Sequence, residues 1–227
     1  MPSKQIPQLT DVQIPIVGIV GGIGSGKSTV IGHVTGLRIR LIQADEIAHE
    51  LLRTPSIRAA VIHRFGESIL DETGEVNRRV LGGLVFGETR QHRENREALE
   101  AILHPAIRKR VEEIIRSTEP ETDVIILDAA LLLEAGWKSS CDAVIFIDTS
   151  HELRQERVMR NRGWSADELP RREALQWPID RKRRESDFVV NNDGTLKESG
   201  ASMERILRQI CESKRATLTN RPSETRG

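Results

Sequence analysis

A chain of 227 residues, 37% of them hydrophobic, can bury a sizeable core, and it is long for one compact domain yet short for two full ones. Its 34 basic and 34 acidic residues cancel to a formal net charge of zero, so no global field draws it to nucleic acid or to an anionic membrane. Only Cys141 and Cys211 occur, without His or Cys neighbours at ligand spacing, which excludes a zinc ribbon, argues against a disulfide framework and points to the cytoplasm.

Met1 to Gln13 carry no periodicity and are expected to form a loose leader. No stretch approaches the roughly 20 apolar residues of a membrane span, and the first apolar run lacks the flanks of a signal peptide. That run, Ile14 to Val20, is expected to be a strand, and it opens directly into Gly21-Gly22-Ile23-Gly24-Ser25-Gly26-Lys27-Ser28-Thr29. Gly21, four residues and Gly26-Lys27-Ser28 match the Walker A pattern, in which successive backbone N–H groups curl around a phosphate and glycines permit the close curl. A chance match in a chain of this length is on the order of one in a hundred. Lys27 is then expected to reach the β- and γ-phosphates and the Ser28 hydroxyl to bind Mg²⁺.

Arg38 to Gln43 reads as a second strand, with Asp45 just beyond its C-terminal end, the ligand side of an open α/β sheet. Asp45 has two readings: a carboxylate that takes the proton of an attacking hydroxyl or orients a magnesium-bound water, or the N-cap of a helix over 46–52. From Ser56 to Ser117 the periodicity is helical, with a turn at Asp71 to Gly74, helices over 78–86 and 91–103, and a further helix started by Pro105. Ile107, Val111, Ile114 and Ile115 form its apolar stripe. His104 either caps and packs on that stripe or donates to a substrate phosphate or hydroxyl.

Asp123 to Asp128 is a continuous apolar run ending in an acid, as expected of a central parallel strand. Asp128 either holds magnesium in the Walker B manner or caps the segment after the strand. Ala143 to Asp148 and Phe188 to Asn191 complete a five-stranded parallel sheet with helices on both sides. Between them, residues 154–184 carry ten cations against five anions. Arginine forks suit phosphate oxygens, so this segment is expected to be a mobile lid, with a solvated helix face and a nucleic-acid stripe as rivals. The three tryptophans read as packing anchors, and the polar tail from Glu212 to Gly227 as frayed.

Gly21 to Thr29, Gln43-Ala44-Asp45, Leu103-His104-Pro105-Ala106-Ile107 and Asp128 to Glu134 occur in the order found in dephospho-coenzyme A kinases, which the chain resembles over about residues 14–211. Phe65-Gly66, Gly74 to Arg78, Gln155-Glu156-Arg157, Lys182, Asp187 and Asn191 to Gly194 add to the likeness. The resemblance implies a P-loop kinase fold: a nucleotide-binding core at 14–44, 118–153 and 186–211, a helical acceptor domain at 45–117, a helical arginine-rich lid at 154–185, and loose termini at 1–13 and 212–227. It implies transfer of the γ-phosphoryl of ATP to the ribose 3′-hydroxyl of dephospho-CoA, with Mg²⁺, in a cytoplasmic monomer or small homo-oligomer free of nucleic acid and membrane. By the same likeness Gly22, Ile23, Gly24, Ser25, Gly26, Lys27, Ser28, Thr29, Arg157 and Asn191 would meet ATP, Ser28 and Asp128 the metal, and Asp45, Arg78 and His104 the acceptor. Asp45, Lys27 and Asp128 would be catalytic. Gln43 and Ala130 depart from the family's usual Asp and Pro, and Arg157 to Arg162 is one residue longer than its usual arginine spacing. Another nucleoside or nucleotide kinase and a nucleotide-binding switch are the alternatives.

Overall fold

In the computed structural model, residues 12–87 and 89–219 are described; nearly all of the leader, Glu88 and the last eight residues lie outside them. The chain divides into two compact units, one built from residues up to Ile42 together with those from Thr118 onward, the other spanning Gln43–Ser117.

The first unit is built on a five-stranded parallel sheet in the order β2-β3-β1-β4-β5. Its strands are β1 (Ile16–Gly21), β2 (Ile39–Gln43), β3 (Val124–Asp128), β4 (Ala143–Asp148) and β5 (Phe188–Asn191). The central strands are buried along nearly their whole length, because a parallel strand with helices on both faces meets no water on either side. One face is sealed by α1 (Lys27–Ile31) and α9 (Leu196–Thr219), which bring Val30, Ile31, Met203 and Leu207 against Val17, Ile19, Ile126 and Ile145. On the other face Gly18 approaches Leu132 and Cys141 so closely that a Cβ on Gly18 would lie 3.0 Å from Leu132 Cδ1. Both cysteines are free thiols, and burial pushes Cys141 up to about 12.

The strand order places the site. β3 lies on one side of β1 and β4 on the other, so the topology switches direction at β1, and the crevice beyond its carboxyl end is where ligands of open α/β sheets sit. The register runs Ile19 beside Asp128 and Gly21 beside Ile147, so the acid at the end of β3 arrives next to the exit of β1 into the glycine loop.

The second unit is helical: α2 (Ala44–Leu51), α3 (Pro55–Phe65), α4 (Arg78–Val85) and α5 (Arg90–Arg116), with α2, α3 and α4 all packed on α5. The two helices expected at 91–103 and from Pro105 are one helix of 27 residues with Pro105 inside it. A proline there removes one backbone bond at a cost of about 3 kcal/mol. Leu103, Ile107, Val111 and Ile115, all buried on one stripe, offset it by packing, at about 1.5–3 kcal/mol each. The turn expected at Asp71 to Gly74 forms: Asp71 Oδ1 accepts from the Thr73 and Glu75 amides, and Gly74 takes φ 78°. The tail expected to fray from Glu212 is helical to Thr219, held by Lys214 Nζ to Asp142 at 2.6 Å among other contacts.

Gly200 of α9 packs closely on the turn that follows α1: a Cβ there would lie 2.7 Å from His33 Cβ and 3.0 Å from His33 O. Alanine favours a helix interior by about 1 kcal/mol over glycine, while overpacking against backbone costs about 1–3 kcal/mol. Gly200→Ala should therefore lower the urea midpoint at unchanged slope; a raised midpoint would show that the crossing has slack.

Candidate active site

β1 runs into a loop whose backbone turns twice through the left-handed region, at Gly24 (φ 80°) and Gly26 (φ 81°). Side chains are excluded on steric grounds as well, since a Cβ on Gly24 would sit 2.8 Å from Arg154 O and one on Gly26 2.8 Å from Asn192 Nδ2. The loop is thus a cradle made of backbone, and Lys27, Ser28 and Thr29 form the first turn of α1 behind it, where helix N–H groups have no intrahelical acceptor. Ser28 and Thr29 are exposed. Lys27 Nζ lies 3.7 Å from Asp128 Oδ1, both side chains largely buried. A cation and an acid therefore stand together at the rim of the cradle, the arrangement a polyphosphate and its counter-ion require.

Behind the loop lies an ionic scaffold that spacing in the sequence did not disclose. Arg154, on α6 (His151–Arg162), is buried; its Nε donates to Thr149 O at 3.1 Å and its Nη1 pairs with Glu173 of α7 (Glu168–Glu173). The same Glu173 Oε1 accepts from the Ile23 amide at 3.2 Å, so a carboxylate of the 154–185 segment is bonded to the phosphate loop itself. Lys182, on α8 (Ile179–Arg184), is 2% exposed and reaches Glu134 at 3.1 Å, Gln176 Oε1 at 2.8 Å and Ala130 O at 3.3 Å. Burial pushes its ammonium below the usual range, Glu134 opposes that shift, and Lys27 adds to it. Glu134 Oε1 also accepts from the Trp177 amide at 2.9 Å. A cavity of about 290 Å³ opens here, lined by Gly22, Arg154, Glu173, Gln176 and Lys182 among others. A larger one, lined by Ile16, Asp142 and Lys214 among others, lies at the amino ends of the strands, away from the glycine loop.

The arginines of 154–185 divide between the alternatives. Arg160, Arg171 and Arg172 pair with Glu156 and Glu168 along exposed helix faces, as a solvated face would have it. Arg162 and Arg172 flank the Trp164 ring and Arg181 covers Trp177, 3.3 Å from its centroid. Trp137 is buried. Arg157 turns to the loop, donating to Ser25 O at 3.2 Å and Asn192 O at 3.1 Å. The segment clusters with the first unit. Asn191 is exposed at the end of β5 and its Oδ1 accepts from the Asp193 amide, whereas its neighbour Asn192 is buried against the loop.

In the second unit Asp45 lies in the first turn of α2, whose N-cap is Gln43 and which no side chain caps. One turn on, His49 is lowered from its ordinary value by burial and then by Arg78, while Asp45 and Glu46 pull it upward. Asp45, His49 and Arg78 are therefore electrostatic neighbours. His49 escaped the sequence reading, although the i to i+4 spacing from Asp45 would have found it. Arg78 opens α4 behind the Asn77 cap. His104 lies mid-helix in α5, half-buried, so it caps nothing.

A parallel sheet that switches direction at a glycine loop, with a lysine and an acid at its mouth and an arginine-bearing helical segment beside it, defines a P-loop kinase. The dephospho-CoA kinase family model matches residues 15–198. The chain is 36% identical over 201 residues to a dephospho-CoA kinase of Rhodopirellula baltica, covering 88% of this chain and 93% of that one, and 35% identical over 198 residues to one of Geobacillus kaustophilus, covering 85% and 95%. Among solved structures it is similar to TT1252 from Thermus thermophilus, with a TM-score of 0.75, 30% identity and coverage of 86% of this chain and 97% of that one. The chain belongs to the dephospho-CoA kinase family, as its ordered motifs led one to expect.

Removing one partner of a buried ion pair costs about 3–5 kcal/mol, because the other charge stays buried. Lys182→Met should cost on that order in chemical denaturation, and adding Glu134→Gln, which keeps an acceptor for the Trp177 amide, should restore part of it. A single variant as stable as the parent would mean that the pair does not hold α8.

Proposed function

We propose that this chain transfers the γ-phosphoryl of ATP to the ribose 3′-hydroxyl of dephospho-CoA, the closing step of coenzyme A synthesis. The observation that carries the reading is the Lys27–Asp128 pair at 3.7 Å on the rim of a glycine-rich loop, in a chain whose family match runs through both units. Phosphoryl transfer needs little covalent chemistry from protein, so the work is alignment and neutralisation of spreading charge.

In this reading the amides of Gly24, Gly26, Lys27, Ser28 and Thr29 and the Lys27 ammonium hold the β- and γ-phosphates, the Ile23 and Ser25 amides being taken by Glu173 and the Gly22 carbonyl. The Ser28 hydroxyl and Asp128 carboxylate would hold Mg²⁺, which would supply neutralisation of charge on the transferring phosphate. Asp45 accepts the proton of the 3′-hydroxyl. It makes no cap that would occupy its oxygens, and its lack of a neighbouring carboxylate at Gln43 leaves the base role to it alone. Arg78, His49 and His104 line the acceptor side in the helical unit, and Asn191 the adenine. A cytoplasmic location fits two free thiols. The arginines spent on Glu156, Glu168 and tryptophan rings favour a small-molecule substrate over a nucleic-acid strand.

ADP release measured with dephospho-CoA against a panel of nucleosides and nucleotides tests the reading: dephospho-CoA should be the preferred acceptor, and a preferred nucleoside would make this another P-loop kinase. Lys27→Ala should nearly abolish turnover with the fold intact by circular dichroism. Asp45→Asn should lower kcat by about 10²-fold or more with ATP affinity little changed; an unchanged kcat would remove the base role.

A further inference from the structure

The carbonyl oxygen of Ser25 receives three donors from three separate parts of the first unit. Asn192 Nδ2, in the loop after β5, donates at 2.8 Å; Thr149 Oγ1, just past β4, at 2.9 Å; and Arg157 Nη1, on α6, at 3.2 Å. A peptide oxygen offers two lone pairs, so this one is fully committed. Asn192 and Thr149 are 1% and 6% exposed, so neither faces the space a ligand would enter. Asn192 is itself fixed: its amide donates to Asp148 O at 2.7 Å, and its own carbonyl takes Arg157 Nη2 at 3.1 Å. The arrangement carries a stability cost, since Asn192 Oδ1 is buried without a partner among the described residues.

In a trans peptide the C=O and N–H bonds point in opposite directions. Holding Ser25 C=O back against β4 and β5 therefore turns the Gly26 N–H forward, into the concave side of the loop, and Gly26 with φ 81° is the residue that lets the chain turn there. Donors on the oxygen also polarise the amide, and hydrogen bonds in series strengthen one another.

We propose that Thr149, Asn192 and Arg157 form a clamp on the Ser25 carbonyl that presets the Gly26 N–H as a donor to the polyphosphate. They are positioning residues that act through the peptide. The clamp rests on the phosphate-loop reading above, and it assigns Arg157 a role other than a direct phosphate contact. Because the preset amide meets ground state and transition state alike, weakening the clamp should raise KM for ATP and leave kcat nearly unchanged.

Titration calorimetry of the full chain with inorganic tripolyphosphate, which has no adenine, separates this role from base recognition. Thr149→Val keeps the side chain's shape and removes one donor; it should weaken tripolyphosphate binding about three- to tenfold, the range for one neutral hydrogen bond, and raise KM for ATP in proportion. Thr149→Ser, which retains the hydroxyl, should restore both. Asn192→Leu provides a second removal from a different element and should act in the same direction. Tripolyphosphate affinity equal to the parent's in folded Thr149→Val and Asn192→Leu would overturn the clamp, as would a loss confined to adenosine binding. Failure of the parent itself to bind tripolyphosphate would instead overturn the phosphate-loop reading.

Discussion

A loop that grips a multiply charged anion with backbone N–H groups must keep those groups pointed at empty space when nothing is bound. Backbone polar groups seek partners, and a flexible glycine loop would turn its amides inward to find them. In this chain the opposite ends of the peptides are tied down. Ser25 O is held by Thr149, Asn192 and Arg157, and Ile23 O takes Arg154. With its carbonyls anchored behind, the loop has little freedom to close on itself, and the cost of organising it is met during folding and not at binding.

That anchoring explains why so much charge is buried near the loop. Arg154 and Lys182 are almost fully enclosed, each against a carboxylate, in a region where apolar residues of similar size would have been easier to accommodate. Both bridge the helices of 154–185 to the core: Arg154 joins α7 to the loop through Glu173, and Lys182 joins α8 to the segment after β3. The ion pairs fix the register of the 154–185 helices on the core, which apolar contacts alone specify poorly. Glu173, bonded to the Ile23 amide, also places a negative charge beside the loop.

Much of this was legible in the residues, for reasons of local physics. A Walker A loop is legible because its chemistry is backbone geometry, and the glycines that permit it are contiguous. The buried strands at 124–128 and 143–148 announce themselves as unbroken apolar runs rich in Val and Ile, and Asp128 and Asp148 at their ends follow from strand direction. Pro105 misled, because a proline signals a helix start locally while its true setting, the interior of a long helix, depends on the stripe that α2, α3 and α4 cover. The tail misled likewise: Glu212 to Thr219 is polar, and its helicity comes from continuing α9 beside the sheet, anchored by Lys214.

The sequence by itself determined the class of chemistry and the order of the sheet-forming segments, since both are written in short contiguous patterns that local sterics and hydrophobic period impose. Tertiary structure decided which two of the nine arginines in 154–184 reach the loop, Arg154 and Arg157, that Asn192 and not Asn191 touches it, and that Glu134 and Glu173 hold the cations behind it. Those contacts join residues on separate elements, those to Ser25 more than a hundred positions away. No periodicity encodes such a meeting, because it exists only once the sheet has fixed where each strand ends.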